Sequence, residues 1–283
     1  MRYILLGTGS PHVSDVRAGS AHLAIIGDDA LLFDCGPVAT HRFKRTGVPF
    51  EQASAVFLTH HHYDHCADLG HFALARWDHS ATLAPLDVYG PPGTHQMVTA
   101  LFGPGGVWQA DNNARTQHPL SQRVFQLRGG VLPRPRPDVR GHDVPHGLVA
   151  ETAHWRVLAG PTVHAQPVIE CYSYRLETAD RSIVFSGDTG YCPELGIFAR
   201  GADTLVHMCC FPDDIVESYD WHGGVSGPSD AGKVAAIAGV RKLVLTHPQG
   251  QTLDTPEGMA DAIVRAGRYF KGEIVFAHDL LEV

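Results

Sequence analysis

The sequence predicts an α/β protein, because short apolar runs of strand length alternate with segments carrying helix signals along the whole chain. Strands are expected near residues 2–6, where Tyr3–Leu6 stay apolar until Gly7-Thr8-Gly9 breaks the run, and near 21–26 and 30–34. Further strands are expected near 55–58, 86–89, 148–158, 168–177, 182–186, 203–207, 242–246 and 273–277. Helices fall between them. The clearest are 66–77, 93–102, 229–239 with Ser229 as N-cap, and 256–270 with Pro256 in the first turn. At 283 residues the chain is long for one core, but paired-sheet architectures reach this size undivided, so a single domain over 1–283 is expected.

Directly after the apolar run Ala55–Leu58 comes Thr59-His60-His61-His62-Tyr63-Asp64-His65. Only the register beginning at His60 yields His-x-His-x-Asp-His, with His60 and His62 on one side of an extended chain and Asp64 and His65 turned toward a second position. A pattern started at His61 misplaces Tyr63 and His65. A histidine-rich surface loop would explain a lone pair of histidines. It does not explain a full histidine and carboxylate cluster at a strand end, which has the composition of a zinc-type site.

This motif resembles that of the metallo-β-lactamase superfamily. Four further landmarks occur in the family's order along the chain, two before this motif and two after it: Tyr3–Pro11, Leu31-Leu32-Phe33-Asp34-Cys35-Gly36, Phe185-Ser186-Gly187-Asp188-Thr189 and Leu243-Val244-Leu245-Thr246-His247. Together they resemble the ribonuclease Z-like branch and cover nearly the whole chain. The resemblance implies a four-layer αβ/βα sandwich, two mixed β-sheets face to face with helices outside. It also implies a ligand set. His164, before a strand expected to begin near Val168, would join His60 and His62 at a first metal; Asp64, His65 and His247 would hold a second; Asp188 would bridge.

Two cations about 3.5–4 Å apart bring the pKa of a bridging water toward ~7, so a hydroxide nucleophile is expected at neutral pH. The cofactors implied are two divalent ions, with zinc favoured by the histidine-rich set and manganese or iron acceptable at the carboxylate-bearing position. In the diiron oxygen-reducing relatives a glutamate commonly replaces the residue at His62, so histidine here argues for hydrolysis.

Three departures from ribonuclease Z bear on the substrate. The arm that grips transfer RNA usually lies between the third histidine and the bridging aspartate, yet only 23 residues separate His164 from Asp188, read as two strands and a turn at Thr178-Ala179-Asp180. Met208 stands where a glutamate is expected to support a proton-donating histidine, a place roughly taken by His222. Asp15-Val16-Arg17-Ala18-Gly19 replaces a Lys-x-Arg-Asn pattern, keeping the arginine and losing the asparagine. Asp64 and His222 are therefore the catalytic candidates, His222 as proton donor. A loop histidine beside Trp221 is the plainer alternative.

The formal net charge of −8 disfavours a sequence-independent nucleic-acid binder but leaves room for a local basic patch. Together these features favour a small anionic ester, foremost a phosphodiester. Lactonase or carboxylic-ester hydrolase, arylsulfatase, ribonuclease Z-like RNA processing and a non-catalytic metal-binding sensor are the alternatives. Gly7-Thr8-Gly9 is no dinucleotide loop, since His12 occupies the third glycine position. Six cysteines without a CxxC fit a reducing compartment, Cys209 and Cys210 reading as buried small hydrophobes. The N-terminal apolar run is too short for a signal peptide or membrane span, so a cytoplasmic location is expected. The segment 103–147 reads as an irregular Gly/Pro/Arg-rich insertion. Its arginines fit an anion-binding lid, a homodimer contact, or pairing with acids elsewhere on the chain.

Overall fold

The computed structural model describes residues 1–82 and 84–283. Two seven-stranded mixed sheets form the centre. The first collects β1 (Arg2–Gly7), β2 (Ala21–Ile26), β3 (Asp29–Phe33), β4 (Ala53–Phe57), β5 (Leu86–Gly90) and β6 (Val139–Asp143), with the last strand, β14 (Leu281–Glu282), on the far side of β1. The second collects β7 (Gly147–Glu151), β8 (Trp155–Gly160), β9 (Ser173–Thr178), β10 (Ser182–Phe185), β11 (Thr204–Met208), β12 (Lys242–Thr246) and β13 (Glu273–Phe276). In each sheet, antiparallel hairpins on one side give way to parallel crossovers on the other.

The helices are α1 (Ala39–Arg45), α2 (Tyr63–Cys66), α3 (Leu69–His79), α4 (Thr94–Phe102), α5 (Gln109–Gln117), α6 (Pro119–Leu127), α7 (Pro193–Phe198), α8 (Asp213–Ser218), α9 (Pro228–Ala238), α10 (Gly250–Leu253) and α11 (Pro256–Ala266). Strand alternation sorts the apolar side chains into three layers. Tyr3, Leu5, Phe33 and Phe57 meet Trp155, Tyr174, Phe185 and Val244 between the sheets. Ile4, Leu6, Leu32 and Val56 turn outward to Phe43 and Phe72 of α1 and α3. Leu205, Leu243 and Leu245 turn outward to Val234 and Ala262 of α9 and α11. Three apolar layers separate four structural ones, the sandwich expected.

Several boundaries differ from expectation. The run 148–158 is two strands, because polar Thr152-Ala153-His154 forms a turn closed by Thr152 N–H donating to Trp155 O. The strand expected near Val168 begins at Ser173, because the Val168 and Ile169 amides donate back to Ala165 O in a turn instead of to a neighbouring strand. The helix expected over 66–77 is the pair α2 and α3. Ser229 is not a cap: Gly227 precedes α9, while the Ser229 amide and hydroxyl donate to Asp213. The last helix stops at Ala266 and starts as expected, with the Thr255 hydroxyl accepting from Gly258 N–H.

Residues 103–147, expected to be irregular, contain α5, α6 and β6. Arg115, Arg128 and Arg134 converge on Asp78 of α3 at 2.9, 3.0 and 2.9 Å, and Arg140 pairs with Asp138. Pairing with acids is thus what these four arginines do. No helix among the described residues is long and apolar enough to cross a membrane.

Candidate metal centre

The parallel strands β3 and β4 end side by side, and their C-terminal ends build half of the site. Beyond β4, extended backbone carries His60 and His62, and the single turn of α2 swings Asp64 and His65 to the other side. Asp34, just beyond β3 at φ 60°, aims its carboxylate back at this turn. It accepts from Thr59 N–H at 2.8 Å and Thr59 Oγ1 at 3.0 Å, and lies 2.6 Å from His65 Nδ1. Gly36 is required by closeness: a Cβ there would collide with the Asp64 carbonyl oxygen.

The other half comes from the second sheet. His164 lies in the loop after β8, with Nδ1 2.6 Å from Gly224 O, a carbonyl that can only accept. Asp188 follows β10; its backbone carbonyl accepts from Thr162 Oγ1 at 2.8 Å. His247 follows β12 in a left-handed conformation, φ 68°, held by its N–H donating to Thr8 O at 3.0 Å. A non-glycine residue in that region signals a position fixed by its surroundings.

All seven expected ligands converge in two groups that share Asp188. One is His60, His62, His164 and Asp188; the other is Asp64, His65, Asp188 and His247. In the first group His60 Nε2 lies 2.9 Å and His164 Nε2 3.2 Å from His62 Nδ1, with His164 Nε2 3.7 Å from Asp188 Oδ2. In the second, His65 Nε2 is 3.2 Å from Asp188 Oδ1 and 3.5 Å from Asp64 Oδ2, and His247 Nε2 is 3.1 Å from Asp188 Oδ2 and 3.6 Å from Asp64 Oδ2. Bonds of about 2.0–2.2 Å in a tetrahedral shell place donor atoms roughly 3.4 Å apart. The observed spacings bracket that value.

An independent observation supports the fit. Both Asp64 carboxylate oxygens, His65 Nε2 and His247 Nε2 are buried without a hydrogen-bond partner. A carboxylate removed from water and given no donor is costly. A cation supplies what these atoms lack.

Electrostatics separate the two groups. Burial holds the His60 imidazole well below its usual pKa, with nearby His65 adding to the effect, and burial lowers His62 too. Both shifts favour the neutral imidazole, the form whose lone pair can take a cation. Burial opposes charge on His65, but Asp188 and Asp34 outweigh it and raise its pKa well above the usual value. Burial likewise opposes ionisation of Asp188, yet His247 and His65 hold its carboxyl well below the ordinary range.

His222 lies outside both groups. Its backbone carbonyl accepts from Tyr191 N–H at 2.8 Å, fastening it beside the loop that carries Asp188, and its Nδ1 lies 2.8 Å from Asp230 Oδ2. The carboxylate partner thus comes from α9, and Met208, where a glutamate was expected, places its sulfur 3.2 Å from the Thr189 amide, which donates to it. Asp34, Gly224 and Asp230 are the site residues that sequence reasoning missed. Asp34 stood within a motif already singled out, a lone carboxylate closing an apolar strand, and that was its only signal.

Residues 30–248 match the family model described as the beta-lactamase superfamily domain. A protein of Mycobacterium sp. (strain KMS) named Ribonuclease Z is 35% identical over 288 aligned residues, covering 99% of this chain and 94% of its own length. Among solved structures, the metallo-beta-lactamase fold protein YhfI of Bacillus subtilis superposes with TM-score 0.75 at 23% identity, covering 100% of this chain and 98% of its own. The short form of human tRNase Z gives TM-score 0.70 at 20% identity, covering 100% of this chain and 98% of its own.

Proposed function

The chain belongs to the beta-lactamase superfamily, on its ribonuclease Z-like branch, as a metal-dependent hydrolase, and from that premise we propose that it cleaves phosphodiesters at a two-metal site. The observation that carries this reading is the pair of ligand groups sharing Asp188, with orphaned buried donors directed into them. His60, His62 and His164 would hold one ion, Asp64, His65 and His247 the other, and Asp188 both. When bound, two such ions, zinc foremost, supply Lewis acidity: they acidify a water and offset charge building on phosphorus.

The chain's own groups do the rest. Asp34 fixes the His65 ring so that Nε2 faces Asp188, and the Gly224 carbonyl does the same for His164. His222, oriented through Nδ1 by Asp230, delivers a proton from Nε2 to the departing oxygen.

The substrate we propose is a small diester rather than precursor transfer RNA, on the strength of the net charge of −8 and the short hairpin of β9 and β10, which leaves no arm between His164 and Asp188. One observation favours RNA processing as a second reading: the similarity to the protein named Ribonuclease Z runs end to end on both chains. Metal-loaded protein incubated in parallel with a bis-aryl phosphate and a precursor transfer RNA separates the two. Turnover of the diester with slow, unspecific attack on the RNA is expected; efficient, site-specific 3′ trimming would establish the ribonuclease instead.

A further inference from the structure

A cavity of about 490 Å³ lies against the candidate metal centre, lined by His164, Phe211, Asp220, Trp221, Gly223, Gly224 and Val225. His164 is the shared wall: Nε2 faces His62 and Asp188, while Nδ1 is tied to Gly224, itself part of the cavity lining. The two ring-bearing walls are Phe211 and Trp221, with centroids 5.2 Å apart at an interplanar angle of 56°. Tyr219, which does not line the cavity, stacks on Trp221 at 4.9 Å and 23° and holds the indole in place.

We propose that this cavity is the specificity subsite, and that it takes a planar aromatic group of the substrate whose anionic centre sits on the metal ligands. Nothing in the reaction itself requires an aromatic wall beside His164. The indole and phenyl rings offer flat, weakly polar surface, to which an aromatic ring binds better than a puckered group of equal volume, because it can stack offset on one ring and present its edge to the other. The Asp220 carboxylate repels a second anionic group and so directs the charged centre to the metal side. A mono-anionic ester with one flat substituent fits both halves; a chain of phosphates does not. Gly223 and Gly224 line the same wall, and Gly223 has no neighbour within 4 Å of the place a Cβ would take, so the wall there is open.

This inference rests on the anion binding at the metal centre and is independent of which ester is cut. The test is calorimetric binding of four mono-anionic probes to the metal-loaded full chain: methyl phenylphosphonate and methyl cyclohexylphosphonate, which mimic a phosphodiester, and benzoate and cyclohexanecarboxylate. The expected result is about tenfold tighter binding of the flat ring on whichever anion the site accepts, the size of one aromatic stacking contact. Trp221→Ala should abolish the preference and Trp221→Phe should keep most of it, with metal content unchanged in both. Equal affinities of flat and puckered partners, a preference that survives Trp221→Ala, or no binding by any probe would overturn the subsite. A ring preference seen with the carboxylates alone would uphold it while removing the phosphodiester reading.

Discussion

The Asp34 carboxylate lies 2.6 Å from His65 Nδ1, and both side chains are almost wholly buried. This contact fixes which nitrogen of His65 faces the site. It also explains why Asp34 has the unusual backbone of φ 60°: an ordinary extended residue at the end of β3 would carry its side chain away from the α2 turn.

Asp34→Asn should therefore weaken metal binding by about 10–100-fold without unfolding the chain, as expected when the partner orienting a ligand is lost. Competition against a chromophoric chelator measures the affinity, and far-ultraviolet dichroism checks the fold. An unchanged affinity would mean that the contact is merely structural.

Asp188 belongs to both ligand groups. Elemental analysis of loaded protein should give about two equivalents of metal, and Asp188→Ala should lose metal and turnover together. A variant that keeps both ions and full activity would refute the shared-ligand assignment.

The His222 and Asp230 pair predicts a contrast between substrates. His222→Ala should lower kcat by about 10²–10⁴ for a high-pKa leaving group and far less for a nitrophenolate, which departs without a proton. Asp230→Asn, which leaves the imidazole present but alters its anchor, should show the same pattern at smaller amplitude. Losses of equal size with both leaving groups would make His222 a loop histidine and no more.

His207 gives a prediction about stability. It is fully buried, its Nδ1 donates to Met208 O at 2.7 Å, and burial lowers its pKa from 6.5 to about 4. Between those values the unfolded chain binds the proton and the folded chain does not, so stability falls as pH drops from 6.5 to 4 and is unaffected by this group above 6.5. The loss amounts to about 3 kcal/mol across the window. Denaturant titrations at stepped pH should show a shallower acid slope for His207→Gln, by close to one proton; an identical slope would assign the acid sensitivity to other groups.

The ligand histidines of the 60–65 run were legible because a strand end fixes direction: once Ala55–Leu58 is read as buried and extended, His60 and His62 share one side, whereas His164 and His247 were legible only through the family resemblance. The partners that aim them were not. Gly224 acts through a backbone carbonyl, which no residue type announces, and Asp230 reaches His222 only because α9 packs where it does. The helices α5 and α6 were hidden for another reason. Each buries a single residue, Asn112 and Phe125: α5 has no apolar stripe to recognise, whereas α6 has Leu120, Val124 and Leu127 at helical spacing but turns them to solvent, so that spacing and Pro119 at its start were signals that the reading of an irregular segment passed over.

The donors to the two ion positions come from both sheets: His60, His62, Asp64 and His65 follow β4, whereas His164, Asp188 and His247 follow β8, β10 and β12. An ion bound there spans the seam between the two halves of the sandwich, and its binding energy counts toward keeping them together. Metal supply thus becomes a determinant of how long the protein survives. Starved of metal, the chain would expose its central apolar layer more often and be degraded faster, so that its abundance, and not only its catalytic rate, would follow the metal content of its surroundings.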